Sequence, residues 1–432
     1  MQTTANRRTH ASRATSYQHS FILQGKFHNI LFILAYSRII RGVIIPPHFA
    51  HLPAPSPEAQ ALSDQLSALI AHEIQAAGGW INFARYMELA LYAPGLGYYS
   101  AGSSKLGESG DFVTAPEMSP LFARCVARQL VQLQDEGLCN VLEIGAGRGV
   151  LAAELLLELA ALGCTPDAYR ILELSGDLRE RQRTVIAQRA PALLNRVRWL
   201  DELPLSFEGA ILANEVLDAM PAHVITTCGG EVLESCVKHD SGRNSFHWSE
   251  TRASEDVYRA IDGIKLPDDY RTEINLTSRA QVNSLARLLK RGVMLFVDYG
   301  FPAHEFYHPQ RNQGTLMCHY RHHAHDDPFA FVGLQDITTH VDFSAIATAA
   351  IDGGAILLGY ATQANFLINC GIVELLSAIP AGDARAYAPL ASQAQKLLSP
   401  AEMGELFKVI ALGKQIDVPL LGFARGDKSH TL

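Results

Sequence analysis

Asn140-Val141-Leu142-Glu143-Ile144 runs directly into Gly145-Ala146-Gly147-Arg148-Gly149, and from there into an apolar helical stretch over 150–162. A short apolar strand, a glycine-rich turn and a helix in immediate succession leave few folds open. The helix must pack back onto the sheet that holds the strand. The unit then repeats along the chain. Residues 169–174 read as a second strand and 178–188 as a second helix, with further strands at 197–200, 210–213 and, after a helix at 281–289, 293–297. Strands alternating with helices predict an α/β fold with a parallel, doubly wound sheet.

Gly145 and Gly147 let the backbone turn tightly and meet a ligand with no Cβ in the way, and the helix start behind them offers unpaired N–H groups. The spacing is G-x-G-x-G, not the G-x-G-x-x-G of dinucleotide folds. Glu143 stands two residues before the first glycine, where its charge opposes a pyrophosphate but suits the ammonium and sulfonium of S-adenosyl-L-methionine. Glu173 ends the second strand, where a carboxylate accepts ribose hydroxyls in a doubly wound sheet. Together these favour the methyl donor. NAD, another nucleotide and a turn without any ligand stay open as alternatives.

Charge divides the chain unevenly. The 432 residues include 36 Lys+Arg and 44 Asp+Glu, a net charge of −8, which argues against a general nucleic-acid binder. Yet residues 1–57 carry six basic side chains and no acidic one. Such a start has the composition of a transit peptide, or of a disordered extension. Its apolar run at 30–36 is too short to span a bilayer, so no stable membrane insertion is expected. The predicted organisation is a basic extension at 1–57 and an N-terminal helical region with a cofactor-covering loop at 58–134. A core follows at 135–221 and 280–342, interrupted by an inserted β-rich lobe at 222–279 with strands near 224–227 and 231–238. Residues 301–342 read as a long polar, His-rich loop, and 343–432 as a C-terminal helical region that completes the core with a strand near 408–412. Apolar runs there, such as 355–358, fit core or a homodimer surface. The seven cysteines are odd in number and form no C-x-x-C pair, which fits buried thiols in a reducing compartment. The cytoplasm is the expected location, with the mitochondrial matrix as the alternative that the basic start allows.

Several blocks stand in one order along the chain: residues 110–117 (GDFVTAPE), the turn at 143–149, 213–221 (ANEVLDAMP), 297–300 (VDYG), 314–316 (GTL) through Tyr320, and 333–338 (GLQDIT) through Asp342. In these blocks the chain resembles the MidA-like methyltransferase family, bacterial relatives of a mitochondrial complex I assembly-factor arginine methyltransferase. The resemblance runs from about residue 62 to 412. It implies a class I, Rossmann-like methyltransferase core with added lobes and S-adenosyl-L-methionine as cofactor. It implies methylation of an arginine side chain in a protein, with a respiratory-complex subunit as one candidate. It also implies that Asp111 and Thr114 close over the donor.

The residues themselves are compatible with that chemistry. Methyl transfer is an in-line displacement, so the enzyme mainly positions its reactants, and a guanidinium acceptor calls for carboxylates. Asn214, Glu215 and Asp218 follow the fourth strand and Asp298-Tyr299 end the fifth, where the ligand crevice of such sheets lies. Glu215 is expected to orient the acceptor and Asp218 to support it, while Asp298 and Tyr299 either floor the pocket or serve structure. His319, His322, His323, His325 and His340 match no zinc spacing, so no metal is assigned. Of these His340, with Asp336, is expected to touch substrate, since an imidazole accepts a proton near neutrality. The candidate set is therefore Glu215, Asp218 and His340 for catalysis, and Asp298, Tyr299 and Asp336 for substrate. Asp111, Thr114, Glu143, Gly145, Gly147, Gly149, Glu173 and Asn214 are the candidates for the cofactor. A small-molecule methyltransferase and a cofactor-holding assembly factor with little turnover are the competing readings.

Overall fold

A computed structural model describes residues 52–101, 114–380 and 383–432. Residues Pro55–Leu432 form one unit around an eight-stranded sheet. Across it lie Ile356–Thr362, Phe407–Lys414, Leu289–Phe301, Phe207–Asn214, Val141–Ile144, Tyr169–Leu172 and Val197–Leu200, with Val341–Asp342 paired to the end of Leu289–Phe301. The five strands from Leu289–Phe301 to Val197–Leu200 are parallel. Phe407–Lys414 is antiparallel to both of its neighbours.

Side chains alternate between two buried faces, as the pleat requires. Leu142, Ile144, Ile211, Met294, Phe296 and Ile410 meet Val282, Leu285, Phe343 and Ile346 on one face. Val141, Leu212, Val293, Leu295 and Val409 meet Leu155, Leu156, Ile186 and Phe366 on the other. Cover on both faces is why these strands read as near-continuous apolar runs. From Val141–Ile144 the chain works outward to Val197–Leu200, then crosses back to Phe207–Asn214 on the opposite side. Between those two central strands the connections diverge and open a crevice at the strands' carboxyl ends.

A second, five-stranded sheet joins His223–Cys228, Glu231–Asp240, Ser245–Arg252 and Arg271–Ile274 with the short Ile81–Asn82. The helices Pro57–Ala76 and Phe83–Tyr92 lie against it through Leu66, Ile70, Phe83, Tyr86 and Met87, which pack with Val224, Val237, Cys318 and Ile337. Two expectations are corrected. The stretch 301–342 is no plain loop: Met317–Tyr320, His323–His325 and Asp336–Thr338 form a three-stranded sheet. Residues 355–358 fall at the start of the edge strand Ile356–Thr362, not in a helix. Among the described residues no helix is long and apolar enough to cross a membrane.

Candidate active site

The glycine turn connects Val141–Ile144 to the helix Val150–Ala161, whose N-cap Gly149 contributes no side-chain cap. Gly145, Gly147 and Gly149 all take positive φ, at 67°, 51° and 84°. A Cβ on Gly145 would strike Val216 Cγ2 at 2.6 Å and one on Gly149 would press on Gln182 Cα at 3.0 Å, whereas one on Gly147 would meet nothing within 4 Å. The backbone at Gly147 thus faces open space, a cradle beside an uncapped helix start whose N–H groups can meet a ligand.

Glu143 lies beneath the cradle. Its carboxylate is nearly enclosed, accepts the Tyr169 hydroxyl at 2.7 Å, and is pushed up to about 7 by burial. This bond braces the first strand against the second. Glu173 is half-buried just past Tyr169–Leu172 and accepts the Ser175 N–H at 2.9 Å and Gln182 Nε2 at 3.0 Å. Burial raises its pKa.

Gln182, on the helix Gly176–Arg189, is fully buried. Its Nε2 donates to Gly147 O at 2.9 Å as well as to Glu173, and its Oε1 accepts from Trp199 Nε1 at 2.9 Å. One amide thus ties the cradle, the second-strand carboxylate and the edge strand together.

On the other side of the crevice Glu215 follows Phe207–Asn214 in a left-handed conformation, φ 53°, which is strained for a side chain of this type. Asp298 explains why it persists. Its Oδ2 accepts the N–H groups of Val216, Leu217 and Asp218 at 3.1, 2.9 and 3.3 Å, and its Oδ1 accepts the Tyr299 N–H at 2.9 Å. The Glu215 N–H donates to Val297 O at 2.8 Å. Asp298 therefore shapes the turn rather than reaching toward substrate, and burial, then Asp218 and Glu215, raise its pKa well above the usual range.

Tyr299 OH donates to Asp218 Oδ2 at 2.6 Å, while Asp218 Oδ1 and Asn214 Oδ1 are buried with no hydrogen-bond partner among the described residues. Asn214 Nδ2 donates to Glu215 Oε1 at 2.9 Å. Burial first, then the charge of Asp218, pushes the Glu215 carboxyl up to about 7; burial pushes Asp218 up to about 6.

The N-terminal region closes the same space. Tyr99 OH donates to Asp336 Oδ1 at 3.0 Å, Tyr92 OH donates to Ala219 O at 3.0 Å, and the two rings stack with centroids 5.4 Å apart. Thr114 is the N-cap residue of Ala115–Met118, whose first N–H donates to the Glu215 carboxylate. Glu117 of that helix pairs with Arg148 of the glycine turn at 3.3 Å.

The structure thus brings together Glu143, Gly145, Gly147, Gly149 and Glu173 on one flank and Asn214, Glu215, Asp218, Tyr299 and Asp336 on the other, with Thr114 near both. Asp111 lies outside the described residues. His340 is corrected as a proton acceptor: burial, reinforced by Arg311 and Lys408, lowers it to about 4, too weak a base near neutrality. Its ring sits 5.2 Å from that of Tyr299, as a wall. Sequence reasoning missed Gln182, Tyr92 and Asp298's grip on the Glu215 turn. Among the described residues no three His, Cys, Asp or Glu side chains gather into a metal-sized cluster.

Comparison with known proteins bears on the ligand. The Methyltransf_28 family model, for S-adenosyl-L-methionine-dependent methyltransferases, matches residues 121–361, more than half of the chain. The crystal structure of a COG1565 superfamily member from Burkholderia thailandensis bound to S-adenosyl-homocysteine is 52% identical, with a TM-score of 0.85 over 88% of this chain and all of that one. The zebrafish (Danio rerio) mitochondrial protein arginine methyltransferase NDUFAF7 is 29% identical over 78% of this chain and 84% of its own. Its Drosophila melanogaster homolog is 27% identical over 86% and 92%. The sheet is that of a class I methyltransferase, and its cofactor is S-adenosyl-L-methionine. The chain belongs to the MidA-like family of S-adenosyl-L-methionine-dependent methyltransferases.

Proposed function

We propose that this methyltransferase acts on an arginine side chain of a protein substrate. The observation that carries the reading is the acidic flank of the crevice. Glu215 and Asp218 have no ion-pair partner among the described residues, and Asp218 keeps one buried oxygen unbonded. Buried carboxylates in that condition are costly unless a cation arrives to meet them. A guanidinium is always charged, offers a planar fork of N–H donors, and stacks on aromatic rings such as Tyr92 and Tyr99. The names of the animal relatives favour the same acceptor.

Bound S-adenosyl-L-methionine supplies an electrophilic methyl group. Glu215 and Asp218 accept hydrogen bonds from the guanidinium and aim one nitrogen along the displacement line. Asp298 holds Glu215 in its strained position, and Tyr299 fixes the inner oxygen of Asp218. The nitrogen gives up a proton as it is methylated, and the Glu215 carboxylate, ionised once the guanidinium is bound, stands ready to take it. We place this chemistry in a reducing compartment, cytoplasm first; the mitochondrial names of the relatives favour the matrix.

The test is incubation of a protein extract with methyl-labelled S-adenosyl-L-methionine and either wild type or Glu215→Gln, followed by acid hydrolysis and amino-acid analysis. Label in methylarginine, lost in the variant, is the expected result. Label confined to a small molecule or to another amino acid overturns the assignment.

A further inference from the structure

Cys139 and Cys164 stand outside the acceptor chemistry, yet their sulfur atoms are only 3.4 Å apart. Cys139 immediately precedes Asn140 and the strand Val141–Ile144, while Cys164 follows Gly163 just beyond the helix Val150–Ala161. Both lie outside regular elements: Cys164 follows Gly163, at a positive φ of 77°, and its N–H closes the helix end onto Leu159 O at 2.8 Å, while Cys139 stands in the segment leading into the strand. A disulfide needs about 2.05 Å between the sulfurs, an approach of little more than 1 Å. Cys164 is 3% exposed and packs in the core, whereas Cys139 is half-buried and reachable from solvent. The chain between them is the strand, glycine turn and helix that carry the cofactor cradle, and the pair closes that unit at the end away from the crevice.

We propose that Cys139 and Cys164 form a reversible redox pair, oxidised by a hydroperoxide to a disulfide that fastens the cofactor-binding unit. The sulfur of Cys139 attacks the outer peroxide oxygen, breaking the O–O bond and leaving a sulfenic acid and an alcohol, or water from hydrogen peroxide. The sulfur of Cys164 then attacks the sulfenic sulfur, the S–S bond forms, and hydroxide leaves as water with the thiol proton. Two thiols are oxidised and one peroxide is reduced. Burial holds the Cys164 thiol up at about 12, which suits a group that waits for its neighbour to be oxidised rather than reacting first. A bridge over a loop of this length restricts the unfolded chain, and a rise of Tm of about 5 °C is expected on oxidation.

The test uses the full chain, folded by circular dichroism, treated with stoichiometric hydrogen peroxide, alkylated and digested without reductant. A linked peptide joining Cys139 to Cys164, two hydrogens lighter than the separate peptides and released by dithiothreitol, is expected, together with the raised Tm. Cys164→Ser should instead leave a sulfenic acid at Cys139, trapped by dimedone, with no Tm gain. Cys139→Ser, as the second variant, should leave Cys164 reduced at the same dose. Recovery of both cysteines as free alkylated thiols in the wild type, or of Cys139 as sulfinic acid beside a free Cys164, overturns the proposal.

Discussion

Replacing Gln182 by Met keeps the volume of a fully buried side chain and removes three hydrogen bonds, to Gly147 O, to Glu173 Oε2 and from Trp199 Nε1. A bond to a charged acceptor contributes about 1.5–3 kcal/mol and a neutral one about 0.5–1.5. Gly147 is exposed and Trp199 half-buried, so water recovers much of those two. The carboxylate bond is the main loss. About 2 kcal/mol is therefore expected, divided between the fold and the readiness of the cradle. If half or more appears in ligand binding, the Kd for S-adenosylhomocysteine rises ~5- to 30-fold. Tm falls by only about 1–3 °C, since a folded unit of this size loses roughly 1.3 °C per kcal/mol. Calorimetric titration of wild type and Gln182→Met, with a thermal scan of each, separates the two effects. At saturating cofactor the variant should recover most of its kcat, because the acceptor flank is untouched. A Kd within twofold of wild type, with Tm lowered by the full amount, would mean that Gln182 supports the helix and does not organise the cradle.

Gly147→Val puts a branched side chain at φ 51° into the space proposed for the cofactor, and should abolish S-adenosylhomocysteine binding by calorimetry while the far-ultraviolet spectrum stays native; retained micromolar binding would move the cofactor elsewhere. Asp218→Asn should stabilise the protein and disable it. The Asp218 carboxyl is raised from 3.8 to about 6, so the folded state binds more protons than the unfolded one between those values and stability falls as pH rises through that window. The cost is fully present above pH 6 and absent below pH 4, roughly 3 kcal/mol at most. Tm of the variant should exceed wild type at pH 8 and match it at pH 4; equal values at pH 8 would sink the reasoning. Tyr92→Ala should raise the acceptor KM about tenfold with the S-adenosylhomocysteine Kd unchanged, since the ring stacks with Tyr99 beside Asp336 and not beside the glycine turn.

The elements of the proposed donor side were readable because they are local in the chain. Strand, glycine turn and helix are contiguous from Val141 to Ala161, and Glu173 follows at the end of the next strand. The acceptor side is not local. Asp298 and the Glu215–Asp218 turn meet across some 80 residues, and the Tyr99–Asp336 bond spans 237. No spacing rule announces either. Gln182 was hidden for another reason: it is one neutral side chain in the Arg-rich helix Gly176–Arg189, whose other residues are almost all solvated. The three-stranded sheet within 301–342 escaped because its strands are three or four residues long and carry histidines, so polarity masked the alternation. Ile356–Thr362 escaped for the opposite cause, an apolar run whose buried end shows no period of two.

The two flanks differ in how their charge is handled, and that difference bears on the proposed acceptor. Glu143 and Glu173 each have a fixed donor in the protein, Tyr169 and Gln182, so the flank proposed for the cofactor is organised before any ligand arrives. Glu215 and Asp218 are organised in position, by Asp298 and Tyr299, but are left without a countercharge. A chain selected only for stability would replace one of them with Asn or bring in a lysine. Keeping both, under a strained backbone at Glu215, makes sense if the missing charge comes with the substrate. A neutral acceptor would leave the repulsion between the two carboxylates in place on binding, whereas a guanidinium relieves it and releases the protons they hold. Acceptor binding should then expel protons near pH 6–7, seen as a dependence of the calorimetric heat on the ionisation enthalpy of the buffer. Heat independent of buffer in that window would argue for an acceptor that brings no charge, and with it against arginine.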